Sequence, residues 1–223
     1  MDEVLEQLKL GVLRFREEVY PARAEDFAQA ASEPQRPHTL FITCADSRID
    51  PNEITSSGLG DVFVTRNIGN MVPAYGEMLG GVSAVIEFAV SSLGVKHIVV
   101  CGHSDCGAMK ALMAPESVEK MPTVKSWLKN AHAALAVAER KYERDVQEGT
   151  GKTMLQELTE QNVLLQIQHL KTHPSVAGAM AMGELTVSGW VYEIGAGEVR
   201  IAEDGQGEFT SVEVAEPAVN VSA

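Results

Sequence analysis

The chain has 223 residues, 45% of them hydrophobic and 22% charged, which is typical of an ordinary globular protein. Lys and Arg number 18 against 31 Asp and Glu, and the formal charge of −13 disfavours nucleic acid and anionic membranes as partners, because both require a basic surface. The acidic start of the chain is unlike a secretory signal, and the most apolar run, residues 78–95, is interrupted by Gly80, Gly81 and Glu87. We therefore expect no membrane span.

Cysteine usage narrows the expected compartment. Cys44, Cys101 and Cys106 form an odd and sparse set, which excludes a disulfide framework as the basis of the fold. Free cysteines are typical of a reducing compartment, so we expect a cytoplasmic protein.

The first half of the chain carries one helical pattern and three strand patterns. Apolar residues at helical spacing predict an amphipathic helix over residues 3–19 that ends at Pro21, and a loop rich in Ala, Glu and Pro should follow as far as residue 37. Short apolar runs with β-branched residues predict three buried strands. The helical spacing is carried by Leu5, Leu8, Val12, Phe15 and Val19, and the strands are Thr39–Thr43, Val62–Thr65 and His97–Cys101.

Helices dominate the remaining segments. Between the second and third strands, Glu77–Leu93 predicts a helix closed by Gly94, and a short helix should start near Gly107. Two longer helices are predicted over Thr123–Glu148 and Thr153–Thr172, the second ended by Pro174, and Leu185–Ile194 with Glu198–Ile201 predict a hairpin around the turn 195–197.

These elements predict an α/β fold with a mostly parallel central β-sheet flanked by helices. Continuous apolar strands separated by helices are typical of a parallel sheet that is covered on both faces. The sequence contains no internal repeat, no low-complexity tract and no linker that would divide domains. We therefore expect one domain.

Two clusters of reactive side chains follow predicted strands. Residues 44–48 come directly after the first strand, and residues 103–107 follow the third. Because the carboxyl ends of parallel strands meet at one edge of the sheet, Cys44, His103 and Cys106 should lie together. Two thiolates and an imidazole suit Zn²⁺, and three protein ligands leave a fourth position for water, as in catalytic zinc sites.

Other interpretations of these residues stay open at this point. Buried cysteines are often only small hydrophobic residues, and Cys101 is expected in the core. A thiol redox site would need a Cys-x-x-Cys spacing, which the sequence lacks. A structural zinc site would need a fourth Cys or His ligand, and the sequence offers none nearby.

Three motifs resemble those of the β-class carbonic anhydrases: residues 44–48 (Cys-Ala-Asp-Ser-Arg), 66–70 (Arg-Asn-Ile-Gly-Asn) and 102–107 (Gly-His-Ser-Asp-Cys-Gly). The resemblance extends from the first helix to the strand at residues 189–192. It implies the fold of that family, a zinc lyase with Zn²⁺ on Cys44, His103 and Cys106, and reversible hydration of CO₂ to bicarbonate and a proton by zinc-bound hydroxide. It also implies a homodimer or homotetramer with each active site near a subunit interface.

On this basis the single zinc-enzyme domain divides into four parts. We expect an N-terminal helical arm over residues 1–35, a zinc core over 36–115, C-terminal helices with an edge hairpin over 116–205, and a tail over 206–223.

Asp46 and Arg48 are the predicted catalytic residues. Two positions apart in a loop, they can form a bidentate ion pair that fixes the carboxylate. The carboxylate would accept the proton of the attacking hydroxide as a hydrogen bond and so aim a lone pair at CO₂. The alternative is a salt bridge that only stabilises the end of a strand.

Members of this family differ in the role of the aspartate that matches Asp46. In some members it becomes a conditional fourth zinc ligand at lower pH and closes the site. Those members have a regulatory bicarbonate pocket, of which Arg66 and Tyr192 match two positions, while Phe41 stands in place of a tryptophan. The open-site, plant-type-like subclass is favoured by Gln35 and Phe63, which match its substrate pocket. That pocket is expected to comprise Gln35, Phe63, Phe88 (where the subclass has tyrosine) and Gly102.

Two rival functions are compatible with the same motifs. A zinc hydrolase of a CO₂ analogue, carbon disulfide or carbonyl sulfide, would differ in the shape of the access tunnel. A metal-binding or regulatory protein without turnover would have four protein ligands and no position for water. The expected function is CO₂ hydration.

Overall fold

A central β-sheet organises the structure, which is a computed structural model that describes residues 2–77, 79–148, 151–205 and 207–212. Within these residues the sheet has six strands: β1 (Thr39–Cys44), β2 (Val62–Asn67), β3 (His97–His103), β4 (Thr186–Glu193), β5 (Glu198–Glu203) and β6 (Thr210–Ser211).

The strands lie in the order β2-β1-β3-β4-β5-β6. β2, β1, β3 and β4 are mutually parallel, and β5 and β6 continue the sheet in antiparallel pairing. The predicted mostly parallel sheet with an edge hairpin is therefore confirmed. The parallel register of β1 and β3 pairs Thr43 with Cys101, so the strand ends that carry Cys44 and His103 lie at the same edge.

Helices surround this sheet and also precede it. The helices are α1 (Asp2–Arg14), α2 (Tyr20–Ala22), α3 (Ala24–Ser32), α4 (Pro51–Thr55), α5 (Gly81–Glu87), α6 (Gly107–Met113), α7 (Pro122–Trp127), α8 (His132–Glu148), α9 (Met154–Leu170) and α10 (Pro174–Ala181). π-helical turns extend α1 over Phe15–Val19 and α5 over Phe88–Leu93, and 3₁₀ turns occupy Ile68–Asn70, Pro115–Val118 and Leu128–Ala131. None of the described helices combines the length and the apolar character that crossing a membrane requires.

The main core lies between the sheet and α9. A capping box between Thr153 and Gln156 begins α9. Strands and helix approach closely because β4 carries Gly189, where a Cβ atom would lie 2.8 Å from Val163 of α9. The opposite face of the sheet holds a smaller apolar cluster, Phe41, Val99 and Cys101, with Trp190 packed edge-on against Phe41.

The N-terminal segment differs from its prediction after its first helix. The predicted end at Pro21 is confirmed to within one residue, because α2 continues directly from the π-helical turn and the backbone leaves the helical conformation at Arg23 (φ −128°). The expected loop after it contains α3, an alanine-rich helix. Residues 2–32 therefore form a mostly helical arm.

The other helices differ mainly at their ends. The helix predicted from Glu77 begins at Gly81, and the helix predicted over Thr123–Glu148 is interrupted by the 3₁₀ turn at Leu128–Ala131. Pro174 ends one helix as predicted but also begins α10, since proline is favoured at the first position of a helix. The predicted tail lies largely outside the described residues.

Candidate metal centre

The structure brings the three predicted zinc ligands together. Cys44 is the last residue of β1, His103 is the last residue of β3, and Cys106 directly precedes α6. Their ligand atoms all lie within 4.8 Å of one another, and all three residues are buried. Adjacent parallel strands thus deliver the two halves of the site, as the sheet topology requires.

The imidazole of His103 fits a metal ligand. Its Nδ1 donates to the carbonyl oxygen of Ser104 at 2.9 Å, which fixes the tautomer and leaves Nε2 with a free lone pair. The ring is fully buried, and Nε2 has no hydrogen-bond partner among the described residues. A buried nitrogen without a partner costs free energy, and a zinc ion between Nε2 and the two sulfur atoms would remove that cost.

The two thiols are coupled through a shared hydrogen bond. The Cys106 thiol lowers the pKa of Cys44, and the backbone N–H groups of Gly69 and Asp46 also lower it, while burial opposes them. The same hydrogen bond to Cys44, together with burial, raises the pKa of Cys106. A bound dication would take both sulfur atoms as thiolates, so metal binding at this site would release protons.

The end of β2 and the turn that follows it support the ligand loop. Arg66 donates through Nε to the carbonyl oxygen of Cys44 at 3.0 Å and through Nη2 to that of Asp46. Gly69 has φ of +76°, and a Cβ atom there would lie 2.9 Å from that of Ala108. The Arg-Asn-Ile-Gly-Asn motif is thus a support for the metal loop, a role that sequence reasoning did not assign to it.

Asp46 and Arg48 form the predicted bidentate pair. Arg48 donates through Nε to Oδ1 at 2.9 Å and through Nη2 to Oδ2 at 2.7 Å, and its backbone N–H also donates to Oδ1 at 3.0 Å. These hydrogen bonds hold the pKa of the Asp46 carboxyl well below its usual range. Oδ2 lies 3.9 Å from Nε2 of His103, so this carboxylate stands beside the ligand cluster and stays ionised.

A second carboxylate, which the sequence analysis missed, also binds Arg48. Nη1 of Arg48 donates to Oδ2 of Asp105 at 3.1 Å, and the Lys110 ammonium donates to Oδ1 of the same carboxylate. The only available signal was the position of Asp105 between His103 and Cys106.

The predicted substrate-pocket residues lie apart from the ligand cluster within one chain. Gln35 is exposed and lines a groove between α3 and residues 58–61, near the start of β1. The rings of Phe63 and Phe88 pack together at 6.1 Å between centroids, and Phe63 pairs with Leu40, four residues before Cys44. Gly102 adjoins His103, but its missing Cβ faces Val163 of α9 at 2.8 Å.

Comparison with known proteins agrees with this centre. A sequence profile of the carbonic anhydrase family matches residues 39–199. A carbonic anhydrase from Pseudomonas aeruginosa is 43% identical over 202 residues, which cover 91% of this chain and 89% of that protein. One from Synechococcus elongatus is 46% identical over 85% of this chain and 68% of its own length.

Solved structures share the whole fold. The β-carbonic anhydrase CcaA superposes with a TM-score of 0.87 and 36% identity, covering 95% of this chain and 93% of that one. One chain described as a tetrameric β-carbonic anhydrase from Sordaria macrospora gives a TM-score of 0.73 at 29% identity, over 90% of this chain and 96% of its own.

The chain therefore belongs to the carbonic anhydrase family, in its β class. The activity is the reversible hydration of CO₂ to bicarbonate with zinc as cofactor, and the group formed by Cys44, His103 and Cys106 fits the zinc site that this reaction requires.

Proposed function

We propose that Cys44, His103 and Cys106 hold a catalytic zinc whose fourth position is open to water, while Asp46 remains on Arg48. The observation that carries the proposal is the bidentate Asp46–Arg48 pair beside the buried, unpartnered Nε2 of His103. Both carboxylate oxygens accept hydrogen bonds from Arg48, which hold the carboxylate away from the ligands, and Oδ2 keeps a second lone pair on the side of His103.

Each residue of the centre has a separate task in this scheme. Zinc on this donor set supplies a nucleophile by lowering the pKa of a coordinated water. The low pKa of Asp46 keeps its carboxylate a hydrogen-bond acceptor, and Oδ2, the oxygen nearer to His103, would hold the proton of the attacking group and orient it. Arg48 holds that carboxylate, and Arg66 fixes the backbone that carries it.

Two features of the chain favour the open-site subclass over the one in which Asp46 closes onto zinc. Arg66 already donates through Nε and Nη2 to the carbonyl oxygens of Cys44 and Asp46, which directs this edge of its guanidinium towards the ligand loop. Phe41 is fully buried against Trp190 and carries no polar atom that could bind bicarbonate.

The free cysteines also support a reducing compartment, the cytoplasm.

The zinc assignment is tested by Cys106→Ser, with Cys101→Ser as the matched control because Cys101 is equally buried but lies outside the cluster. A hydroxyl ionises poorly and is a harder ligand than a thiolate, so Cys106→Ser should lose most of its zinc. Hydration of CO₂ should fall by more than about 100-fold, beyond the ~10–100-fold cost of changes outside the ligand set. Zinc by mass spectrometry and stopped-flow hydration measure both. Full zinc content and normal turnover in Cys106→Ser would overturn the assignment.

A crystal structure of the zinc-loaded protein near pH 7 tests the open site. We expect the Asp46 carboxylate on Arg48, and water or a small anion as the fourth zinc ligand. An Asp46 oxygen bonded to zinc at ~2.0–2.2 Å would instead place the chain in the closed-site subclass.

We also propose that the active protein is a homo-oligomer in which the N-terminal arm packs on a second copy. Leu5, Leu8 and Val12 of α1 are 53%, 65% and 66% exposed, although they share one helix face. No residue of α2 or α3 is buried either. Such a continuous exposed apolar surface is typical of an interaction site, and the tetrameric relatives from Sordaria macrospora support self-association as its use.

The oligomer is tested by replacing Leu5, Leu8 and Val12 together with serine. Sedimentation velocity should then show a smaller assembly than the unmodified protein forms. The control replaces Val137 and Val146 with serine, since both are exposed valines on α8. A fully active monomer of the unmodified chain would contradict the proposal.

Gln35, Phe63 and Phe88 complete the substrate pocket in this proposal, from the second copy. Within their own chain they lie away from the ligands, and Phe88 is 46% exposed. An interface between two copies would cover these side chains and bring them near the partner's zinc. Gly102 is proposed only as a neighbour of His103, because its packing against α9 already accounts for a glycine there.

A further inference from the structure

We propose that Asp105 is a positioning residue for CO₂ hydration, which holds the outer edge of the Arg48 guanidinium and so fixes the orientation in which Arg48 binds Asp46. The proposal rests on the proposed role of the Asp46–Arg48 pair. It adds to that pair a second carboxylate, which the zinc-ligand loop itself supplies.

The hydrogen bonds of Arg48 divide between two edges of its guanidinium. Nε and Nη2 donate to Asp46, and Nη1 donates to Asp105 at 3.1 Å. Because these are different nitrogens, the two carboxylates do not compete for one donor. An arginine bound on one edge can move with its carboxylate on a flexible stem, whereas one bound on both edges cannot. Asp105 therefore restricts the movement of Asp46 through Arg48.

The backbone of the ligand loop presents Asp105 to Arg48. Asp105 has φ of +61°, a left-handed conformation that most non-glycine residues avoid and that aspartate tolerates better than most. This turn lies between His103 and Cys106, so the same few residues that place two zinc ligands also place the carboxylate. The Arg48–Asp105 bond thus joins the two ligand loops, 57 residues apart in sequence.

Lys110 orients the Asp105 carboxylate from its other side. Its ammonium binds Oδ1, while Arg48 binds Oδ2. Asp46, Arg48, Asp105 and Lys110 therefore alternate in charge. Asp105 and Lys110 are about half exposed, and ion pairs of that exposure contribute little to stability. Loss of Asp105 should consequently change the orientation of Arg48 far more than the stability of the fold.

A double-mutant cycle tests the inference on the zinc-loaded protein. Asp105→Asn should lower kcat/KM for CO₂ hydration about fivefold, which corresponds to the upper range of exposed ion pairs. In an Arg48→Ala background the same substitution should have no further effect, because Asp105 acts only through Arg48. Asp204→Asn is the matched control, since Asp204 is also an exposed aspartate with positive φ, at 56°, but follows β5. It should leave kcat/KM unchanged.

The visible spectrum of the Co²⁺-substituted protein gives a readout that does not depend on turnover. Asp105→Asn should shift the spectrum in the direction of the Arg48→Ala protein, and Asp105→Glu should restore most of the original spectrum. An Asp105→Asn protein that matches Asp204→Asn in both rate and spectrum would overturn the inference. The inference would also be overturned if Asp105→Asn lowered kcat/KM as much in the Arg48→Ala background as in the unmodified chain.

Three further outcomes are decided by these variants together with Lys110→Met. If Asp105→Asn does not fold or does not bind metal, Lys110→Met takes its place, because it removes only the lysine that orients Asp105. It should lower kcat/KM about twofold, and only when Arg48 is present. No effect of Lys110→Met would then overturn the inference. If Arg48→Ala itself changes neither rate nor spectrum, the proposed role of the ion pair fails. If Arg48→Ala acts and Asp105→Asn does not, only the role of Asp105 fails.

Discussion

The described part of the chain contains two networks of four alternating charges that have the same construction. The rim network, at the edge of the metal centre, consists of Asp46, Arg48, Asp105 and Lys110. The hairpin network, where α9 meets the edge hairpin of β4 and β5, consists of Glu193, Arg200, Glu160 and Lys152. In each, one arginine binds two carboxylates, and the second carboxylate also binds a lysine.

The networks differ in their exposure to water. Arg48 is 45% exposed and Asp105 is 54% exposed, whereas Arg200 is 18% exposed and Glu160 only 4%. Water screens the charges of the rim network, so its bonds direct side chains without contributing much stability. A buried carboxylate such as Glu160 has lost its hydration, and removal of a partner leaves that loss uncompensated. The same arrangement of charges therefore serves orientation at the rim and stability at the hairpin.

The largest difference between the two networks is expected in the effect of losing the arginine on CO₂ hydration. Arg48→Ala should lower CO₂ hydration about 100-fold, because Asp46 keeps only the backbone N–H of residue 48 and becomes free to approach the zinc. The free energy of unfolding should change by less than about 1 kcal/mol. Stopped-flow hydration and chemical denaturation measure the two quantities. Activity that survives with only a small loss would make Arg48 a structural residue.

The converse effect is expected at the hairpin. Arg200→Met leaves Glu193 without this partner and Glu160 with Lys152 alone, so the free energy of unfolding should fall by about 1–3 kcal/mol. CO₂ hydration by the folded, zinc-loaded protein should stay within about twofold of the original, because the hairpin network does not touch the ligands. Arg144→Met, at a side chain that is 61% exposed, is the control and should cost less than about 0.5 kcal/mol. Unchanged stability of Arg200→Met relative to this control would remove the distinction between the networks.

The sequence predicted those residues of the site that lie close together in the chain. Cys44, Asp46 and Arg48 lie within five residues, directly after an apolar run that predicts a buried strand, and the topology of parallel sheets then requires the loop after β3 to lie beside them. The Asp46–Arg48 pair was predicted from the family motif, and the spacing of two residues allowed the bidentate geometry that the structure shows.

Neither network could be predicted as a whole from the sequence. The bond from Arg48 to Asp105 spans 57 residues and depends on a positive φ, and the bond from Arg200 to Glu160 spans 40 residues. Neither separation leaves a pattern in one sequence. In the arm, the end of the first helix near Pro21 was predicted, but α3 was missed because Phe27 is its only large apolar residue and gives no apolar spacing.

A third polar cluster lies at the opposite end of the sheet and consists of His97, Thr186 and Ser188. It differs from the two networks because its titratable group, the partly buried His97, has no oppositely charged partner in the cluster. Nδ1 of His97 lies 2.7 Å from the Thr186 hydroxyl oxygen, and Nε2 lies 2.7 Å from that of Ser188. The Thr186 hydroxyl donates to the carbonyl oxygen of Lys96, so it accepts from Nδ1. The Ser188 hydroxyl accepts from Trp190 and is free to donate to Nε2. These bonds satisfy a neutral imidazole.

The smallest expected effect is therefore a pH dependence. Burial lowers the pKa of His97, and the nearby His38 lowers it further. Because the neutral form is favoured in the folded state, the stability that His97 contributes is present above the unfolded pKa of about 6.5 and is lost as the pH falls from there through the folded pKa. Unfolding free energies of the unmodified protein and His97→Gln, compared across pH, should show a difference that is constant above about pH 6.5 and shrinks below it. An NMR titration should give His97 a pKa below the ordinary histidine value of about 6.5. A His97 pKa at or above that value would show that desolvation without a charge partner does not govern this cluster.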